Sequence, residues 1–377
     1  MVALPTEGRA PFGATQEPPS RPAELSPAWW AGVLANRGTP RTVVDIAAEP
    51  VGHGMLGDTF RFTASYAESA EATTDRPAVP NSFIVKFAAV SQASRNTGFK
   101  SLMYEREAGF YRDIAGTLGV RAPDCYHVSI NPELGTMAIA IEDLAPARGG
   151  DQLAGCGADD AALAMEQAAA LHGPRWGDDT LTRYSWLNIR ELNYDKYTRM
   201  TKAKHPEFAE RFADQLSAEV LDVCDHLAAN VEAYFARHRG PWTIQHADFR
   251  LDNMLFDAAG GTVPLAVVDW QTILYGPGPA DVSYFLGAAM EPEDRRRHEQ
   301  ELLRIYHQAL LAHGVTDYDW DRCWQDYRLY SYAGLLNTIG PSVLLRRTER
   351  GDQMFSTLAR RHAIHALDMN AAQLITD

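Results

Sequence analysis

Residues 242–271 read WTIQHADFRLDNMLFDAAGGTVPLAVVDWQ, and the interpretation of the whole chain turns on them. An apolar run closes at His246, a polar loop carries Asp248 and Asn253, and a short apolar segment at 254–256 enters a turn at 257–261. A second apolar run, 265–268, ends on Asp269. Two short runs around a glycine-containing turn predict a hairpin, with a polar loop ahead of its first strand and a carboxylate behind its second. Pairing the strands brings Asn253 and Asp269 to one end of the ladder, with Asp248 on the adjoining loop. An Asn and an Asp with converging oxygens suit a hard cation such as Mg²⁺, which takes oxygen ligands and keeps part of its water shell. A separate carboxylate beside them is placed to accept a hydroxyl proton.

The spacing H-x-D-x-x-x-x-N, followed by a hydrophobic strand ending in Asp, is a phosphoryl-transfer pattern. Upstream segments agree with it. Residues 51–57 contain G-x-G-x-x-G at Gly52, Gly54 and Gly57. That pattern opens a helix in dinucleotide sites but joins two strands in kinases. Residues 59–66, TFRFTASY, alternate with the period of a strand. The loop is therefore predicted to be a hairpin whose glycines let backbone amides approach phosphates. Residues 82–87, SFIVKF, form a predicted strand with Lys86 inside an apolar run. A lysine there is costly to bury unless paired. It is either an edge lysine that snorkels or a phosphate-binding lysine paired with a glutamate of the next helix. That helix, predicted over 98–117, offers Glu105 and Glu107, and Glu107 is favoured because it lies one turn before Tyr111.

Strands predicted over 125–130 and 136–141 lead to Glu142-Asp143-Leu144, which breaks the pattern and reads as a hinge between lobes. Backbone groups just past a strand end lack partners, and an adenine edge can satisfy them. Helices are expected to start at Ser26-Pro27 and to cover 158–172 and 218–237, while 174–216 reads as irregular. His172 reads as a helix-end residue rather than a catalytic group. Asp281 reads either as a helix N-cap or as a brace accepting the amides of the 246–253 loop. Residues 292–376 read as mostly helical.

With 377 residues the chain can build two lobes, placed at 23–142 and 143–377, behind a Pro-, Gly- and Ala-rich tail at 1–22 that is expected to be disordered. A net charge of −14 argues against nucleic acid as the main partner, because phosphate backbones need clustered Lys and Arg. Four widely spaced cysteines suggest neither a zinc site nor a disulfide framework. No run reaches the ~18 apolar residues of a membrane span, and no basic-then-apolar leader is evident. The expectation is a cytoplasmic protein with reduced thiols.

On these residues the chain resembles the aminoglycoside phosphotransferase and choline kinase superfamily of small-molecule kinases. It looks closest to the ecdysteroid-kinase-like branch, through Glu107 with Phe110-Tyr111, Pro123 with Cys125-Tyr126, Glu142-Asp143-Leu144, Leu171-His172, Asp269-Trp270-Gln271, and Gly276 through Asp281 to Tyr284-Phe285-Leu286. The similarity runs from about 43 to 286. It implies an α+β, bilobal protein-kinase-like fold, with a small, mainly antiparallel-sheet N-lobe and a larger, mainly helical C-lobe. It also implies ATP and Mg²⁺ as cofactors and a small-molecule alcohol as substrate. Carried over by position, Gly52, Gly54 and Gly57 cover the phosphates, Lys86 binds them and pairs with Glu107, and the backbone of Glu142, Asp143 and Leu144 receives adenine. Asp248 is then the base, and Asn253 and Asp269 are the metal ligands. Two residues depart from the family pattern: Ala247 stands where Gly is usual, and Trp270 where Phe is common. Arg250 stands where protein kinases often keep Lys; it either neutralises the transferred phosphoryl or is a surface arginine. Two rival readings stay open, a protein kinase and a non-catalytic nucleotide-binding protein. His-Ala-Asp in place of His-Arg-Asp, and the lack of an Ala-Pro-Glu segment after Asp269, count against the first. The acceptor and the oligomeric state are left undecided.

Overall fold

The computed structural model describes residues 18–52, 57–68, 79–189, 193–345 and 347–376. The chain divides into two compact units. One takes the chain to Asp113 and then Pro123–Asp143; the other takes Ile114–Ala122 and Leu144–Asp377. The contiguous lobe boundary expected from the sequence did not assign 114–122 to the second unit. Of the tail expected over 1–22, residues 1–17 lie outside the described residues, and Pro22–Glu24 forms a single helical turn.

In the first unit five antiparallel strands pair in the order β1-β2-β3-β5-β4: β1 (Val43–Pro50), β2 (Gly57–Tyr66), β3 (Ser82–Ala88), β4 (Cys125–Asn131) and β5 (Thr136–Glu142). Strand alternation puts Phe83, Val85 and Phe87 on one buried face, joined by Phe62, Ala138 and Ala140. Helix α1 (Pro27–Asn36) covers that face. Ser26 caps it by accepting the Trp29 amide, and the Trp30 ring stacks on Phe83 at 3.7 Å. Fully burying a large apolar side chain contributes about 2 kcal/mol. The helix predicted over 98–117 is broken near its start: α2 (Gln92–Lys100) ends before a break, and helical structure resumes with α3 (Met103–Gly109) and runs on through a π turn (Phe110–Ile114) and a 3-10 turn (Ala115–Thr117). Leu102 takes the left-handed conformation at φ 56°. The Tyr104 ring lies so close over Gly98 that a Cβ there would sit 2.4 Å from it. A continuous helix would not place these two residues in that contact.

The second unit contains β6 (Arg148–Gly149), β7 (Asn188–Ile189), β8 (Thr243–Gln245), β9 (Met254–Asp257), β10 (Val263–Val267) and β11 (Leu274–Gly276), in two three-stranded sheets ordered β10-β9-β6 and β7-β11-β8. Its helices are α4 (Ala158–His172), α5 (Tyr194–Phe212), α6 (Ala218–Ala229), α7 (Val231–Ala236), the single turn α8 (Ala258–Gly261), α9 (Pro279–Ala289), α10 (Pro292–Ala312), α11 (Trp320–Leu329), α12 (Ala333–Leu344) and α13 (Glu349–Asp368). Helix α9 is buried along its whole length and lies at the centre of this unit. Helix α5 lies in sequence that reads as irregular; it carries an internal Pro206 and buries only Thr201, Phe208 and Phe212, so its apolar periodicity is thin. The helix expected over 218–237 breaks at Asn230, whose side-chain amide donates to the His226 carbonyl and competes with the helix ladder. Among the described residues no helix is long and apolar enough to cross a membrane.

Candidate active site

In the first unit, β1 and β2 pair from Val43↔Tyr66 to Pro50↔Phe60, and the Val51 amide donates to the Thr59 carbonyl. The glycine-rich segment therefore joins two strands and opens no helix. Gly52 has φ 68°, a left-handed conformation that glycine adopts without strain. A Cβ on Gly57 would come 3.2 Å from the Phe87 carbonyl across the ladder. Gly54 lies outside the described residues. Lys86 forms an ion pair with Glu107, and the Glu107 side chain is only 5% exposed. Of the two glutamates the sequence offered, Glu107 is thus the one that meets Lys86; burial pushes the Glu105 carboxyl above its ordinary range. Past β5, the Glu142 amide donates to the Asp124 carbonyl, and its carboxylate accepts the Asp124 amide. Asp143 accepts Arg61 Nε at 2.7 Å.

Leu144 belongs to the second unit. It is buried with Ala258 and Ala266, and its carbonyl accepts the Ala259 amide at 2.8 Å.

The remaining candidate residues surround the β9–β10 ladder. The register is Met254↔Val267, Leu255↔Ala266 and Phe256↔Leu265, and the Val268 amide donates to the Asn253 carbonyl at 3.0 Å. Asn253 and Asp269 therefore lie at the same end of the ladder. Asn253 Nδ2 lies 2.9 Å from both the Asp248 carbonyl and Asp248 Oδ2. Both are pure acceptors when the carboxylate is ionised, so the atom between them is the amide nitrogen and Asn253 Oδ1 faces away. Asp269 sits at φ 68°, and its Oδ2 accepts from Gln271 Nε2.

His246 ties the two sides of this loop together. Its Nε2 lies 3.1 Å from the Val268 carbonyl and its Nδ1 accepts the Asp248 amide. The carbonyl can only accept, so the proton is on Nε2. The Trp270 ring packs on His246 at 4.8 Å, so the larger side chain at 270 is part of the loop's support. Ala247 has φ 64°, which explains why glycine suits this position: an alanine there holds a left-handed conformation at a cost of roughly 1 kcal/mol.

Asp281 braces the loop and is not the cap of its helix. It lies in the first turn of α9, is 1% exposed, and accepts the His246 amide at 2.6 Å and the Ala247 amide at 3.0 Å. His172, set aside in the sequence, is fully buried; its Nε2 faces Asp281 at 3.3 Å and its Nδ1 faces the Tyr306 hydroxyl at 3.0 Å. Because a carboxylate only accepts, Nε2 donates to Asp281 and Tyr306 donates to Nδ1. Asn337 adds a bond to the Ala247 carbonyl.

Arg250 is no ordinary surface arginine. Its Nε lies 3.1 Å from Asp248 Oδ1, and it also pairs with Asp252. Burial works against its charge, but the carboxylates of Asp248 and then Asp252 hold the guanidinium above its ordinary value. Sequence reasoning assigned no role to Tyr284, whose hydroxyl donates to Asp248 Oδ1 at 3.2 Å. The signal was there: Tyr284 is three residues beyond Asp281, on the same helix face.

A model of the ecdysteroid kinase-like family matches residues 51–315, well over half of the sequence. The chain belongs to that family. A search of curated protein sequences finds no match. Among solved structures, this ecdysteroid kinase-like chain is similar to choline kinase from Cryptosporidium parvum Iowa II, with a TM-score of 0.51 at 9% identity over 86% of this chain and 89% of that one. At such identity the likeness speaks for the fold. A second similar structure is the ADP-bound aminoglycoside phosphotransferase APH(2'')-Ib, with a TM-score of 0.47 at 16% identity, covering 89% of this chain and 99% of that chain.

Asn253 and Asp269, at one end of the β9–β10 ladder, are residue types that could hold a metal ion. Among the described residues, no group of three or more His, Cys, Asp or Glu side chains is placed to hold a metal by itself. An Asn oxygen and a carboxylate at one ladder end form a partial donor set, of the kind Mg²⁺ completes with phosphates and water.

Proposed function

We propose that this protein is an ATP- and Mg²⁺-dependent phosphotransferase acting on a hydroxyl group of a small molecule. The observation that carries the reading is the Asp248–Asn253–Asp269 arrangement, a hydrogen-bonded carboxylate beside an Asn–Asp pair at one ladder end. Bound Mg²⁺-ATP would supply the transferable phosphoryl group. Asn253 and Asp269 would hold the cation. Lys86, paired with Glu107, and the glycines Gly52, Gly54 and Gly57 would hold phosphate oxygens, and the backbone of Glu142–Leu144, apart from the Glu142 amide and the Leu144 carbonyl that are bonded within the fold, would take the adenine edge. Unit charges of like sign at ~4 Å repel by about 4 kcal/mol at an effective dielectric of 20. A phosphate beside Asp269 therefore has to arrive with its cation.

Asp248 accepts the proton of the acceptor hydroxyl as that oxygen bonds to phosphorus and the bond to the leaving diphosphate breaks. Arg250 offers positive charge to the phosphoryl oxygens in flight. We place the reaction in the cytoplasm, with a small alcohol as partner and no nucleic acid or membrane.

The test is turnover of Mg²⁺-ATP against a panel of alcohols, with labelled phosphate followed into small molecules and into protein. Asp248→Ala is expected to lose roughly 10²–10⁴ in turnover while still binding nucleotide. Near wild-type turnover in that variant would remove Asp248 as the base. Label appearing in protein acceptors alone would turn the reading toward a protein kinase.

A further inference from the structure

We propose that Tyr284 is a positioning residue for Asp248: its hydroxyl holds Oδ1 and fixes the rotation of the carboxylate, leaving Arg250 as the partner that can exchange. The inference rests on the reading of Asp248 as the base and adds to it the device that aims that base.

Three donors converge on the Asp248 carboxylate, and they differ in freedom. Asn253 Nδ2 takes Oδ2 at 2.9 Å and is anchored through the Asp248 carbonyl as well. Arg250 Nε lies 3.1 Å from Oδ1 and 3.2 Å from Oδ2. The Tyr284 hydroxyl takes Oδ1 at 3.2 Å. Tyr284 is 5% exposed, on a helix with no exposed residue, and its ring stacks on His362 at 5.3 Å with 11° between planes. A buried ring stacked on a buried histidine in a packed interior cannot follow the carboxylate if it turns.

Arg250 is a long side chain at the edge of the same cluster, 22% exposed, shared between Asp248 and Asp252 and touching Met354 Sδ. If its guanidinium moves toward an anion, Asp248 Oδ1 keeps Tyr284, and Oδ2 keeps Asn253. The carboxylate plane then stays where it is. Without the tyrosine hydroxyl, Oδ1 has no rigid partner, and once Arg250 moves away only the Asn253 bond to Oδ2 resists rotation about the terminal bond, which is soft. Burial, and then the Asp248 charge, push the Tyr284 hydroxyl well above its ordinary range, so it remains a donor throughout the working range of pH. The same face of α9 thus grips three consecutive residues: Asp281 takes the amides of His246 and Ala247, and Tyr284 takes the side chain of Asp248.

The experiment compares the full-length wild type with Tyr284→Phe and Asp248→Asn. Each is assayed for thermal unfolding, for Mg²⁺-ADP binding, for ADP release from Mg²⁺-ATP with water as acceptor, and for the carboxyl ¹³C resonance of Asp248, assigned by its absence in Asp248→Asn. Phenylalanine keeps the ring on His362 and removes one oxygen. Tyr284→Phe is expected to unfold and bind Mg²⁺-ADP as the wild type does, to lose about tenfold in kcat with KM for ATP unchanged, and to shift the Asp248 resonance. The resonance is read whether or not water serves as acceptor. An unshifted resonance, or wild-type kcat in Tyr284→Phe beside an inactive Asp248→Asn, overturns the positioning role and leaves the base reading standing. Full turnover in Asp248→Asn removes the base and this proposal together.

Discussion

Acid should unfold this protein through two histidines that the proposed chemistry does not use. His362 and His365 lie one turn apart on α13 and are fully buried. His362 is pressed between the Tyr284 ring and Gly334, where a Cβ would come within 2.1 Å of it. The Tyr327 ring lies 5.0 Å from His365, and a Cβ on Gly287 would stand 2.7 Å from Nδ1 of both histidines. Burial, then the charges of Arg361 and Arg295, bring His362 down to about 3 from an ordinary 6.5. Burial, Arg295 and His362 take His365 well below that ordinary value.

Both rings are therefore neutral in the folded state and protonated in the unfolded one over this window. Where the unfolded state binds more protons, stability rises with pH. The contribution is intact above pH 6.5 and is lost as pH falls from there toward 3. At pH 5, about 1.5 units below the unfolded value, His362 alone should cost about 2 kcal/mol, from 1.36 kcal/mol per unit. His362→Gln keeps a flat polar side chain and removes the titration. Urea unfolding of both proteins near pH 7.5 and near pH 5 should give a wild-type loss about 2 kcal/mol larger than that of the variant. Equal losses in the two proteins would refute the assignment of the acid sensitivity to His362.

Three further outcomes follow from the loop around Asp248. Ala247→Gly should stabilise by about 0.5 kcal/mol, since relief of the left-handed alanine exceeds the entropy glycine gains in the unfolded chain; a clear loss of stability in chemical unfolding would count against that strain. Asp281→Ala strands the buried His246 amide and the half-buried Ala247 amide and should destabilise by about 2–4 kcal/mol; unfolding at the wild-type midpoint would show that the brace is dispensable. Asp269→Ala should abolish the Mg²⁺ dependence of nucleotide binding, and unchanged Mg²⁺-ATP affinity by calorimetry would take Asp269 off the metal.

Much of this arrangement was legible in the residues, for identifiable reasons. Strand alternation at 59–66 decided that the glycine segment joins strands, and the pairing of β1 with β2 agrees. Hairpin pairing alone put Asn253 and Asp269 at one ladder end. What stayed hidden depends on contacts between distant segments. Nothing local says that Tyr104 folds back over Gly98 or that Asn230 caps off a helix with its own side chain. His172 and Tyr284 looked ordinary because their partners lie more than thirty residues away, at Asp281 and at Asp248. Helix α5 was missed because a proline and a polar surface mask its few buried positions.

The assignment of Ile114–Ala122 to the second unit has a consequence for how the protein is made. The polypeptide changes unit three times, after Asp113, Ala122 and Asp143. The Gly119 amide waits for the Ala170 carbonyl, and the Arg121 carbonyl for the Val267 amide, well over a hundred residues downstream in the second case. A nascent chain stopped at Asp143 has all five strands of its sheet in hand but also a nine-residue stretch whose partners have not yet been synthesised. Truncation at that point should yield a sticky fragment rather than a clean domain, and a single proteolytic nick there should not set the first unit free.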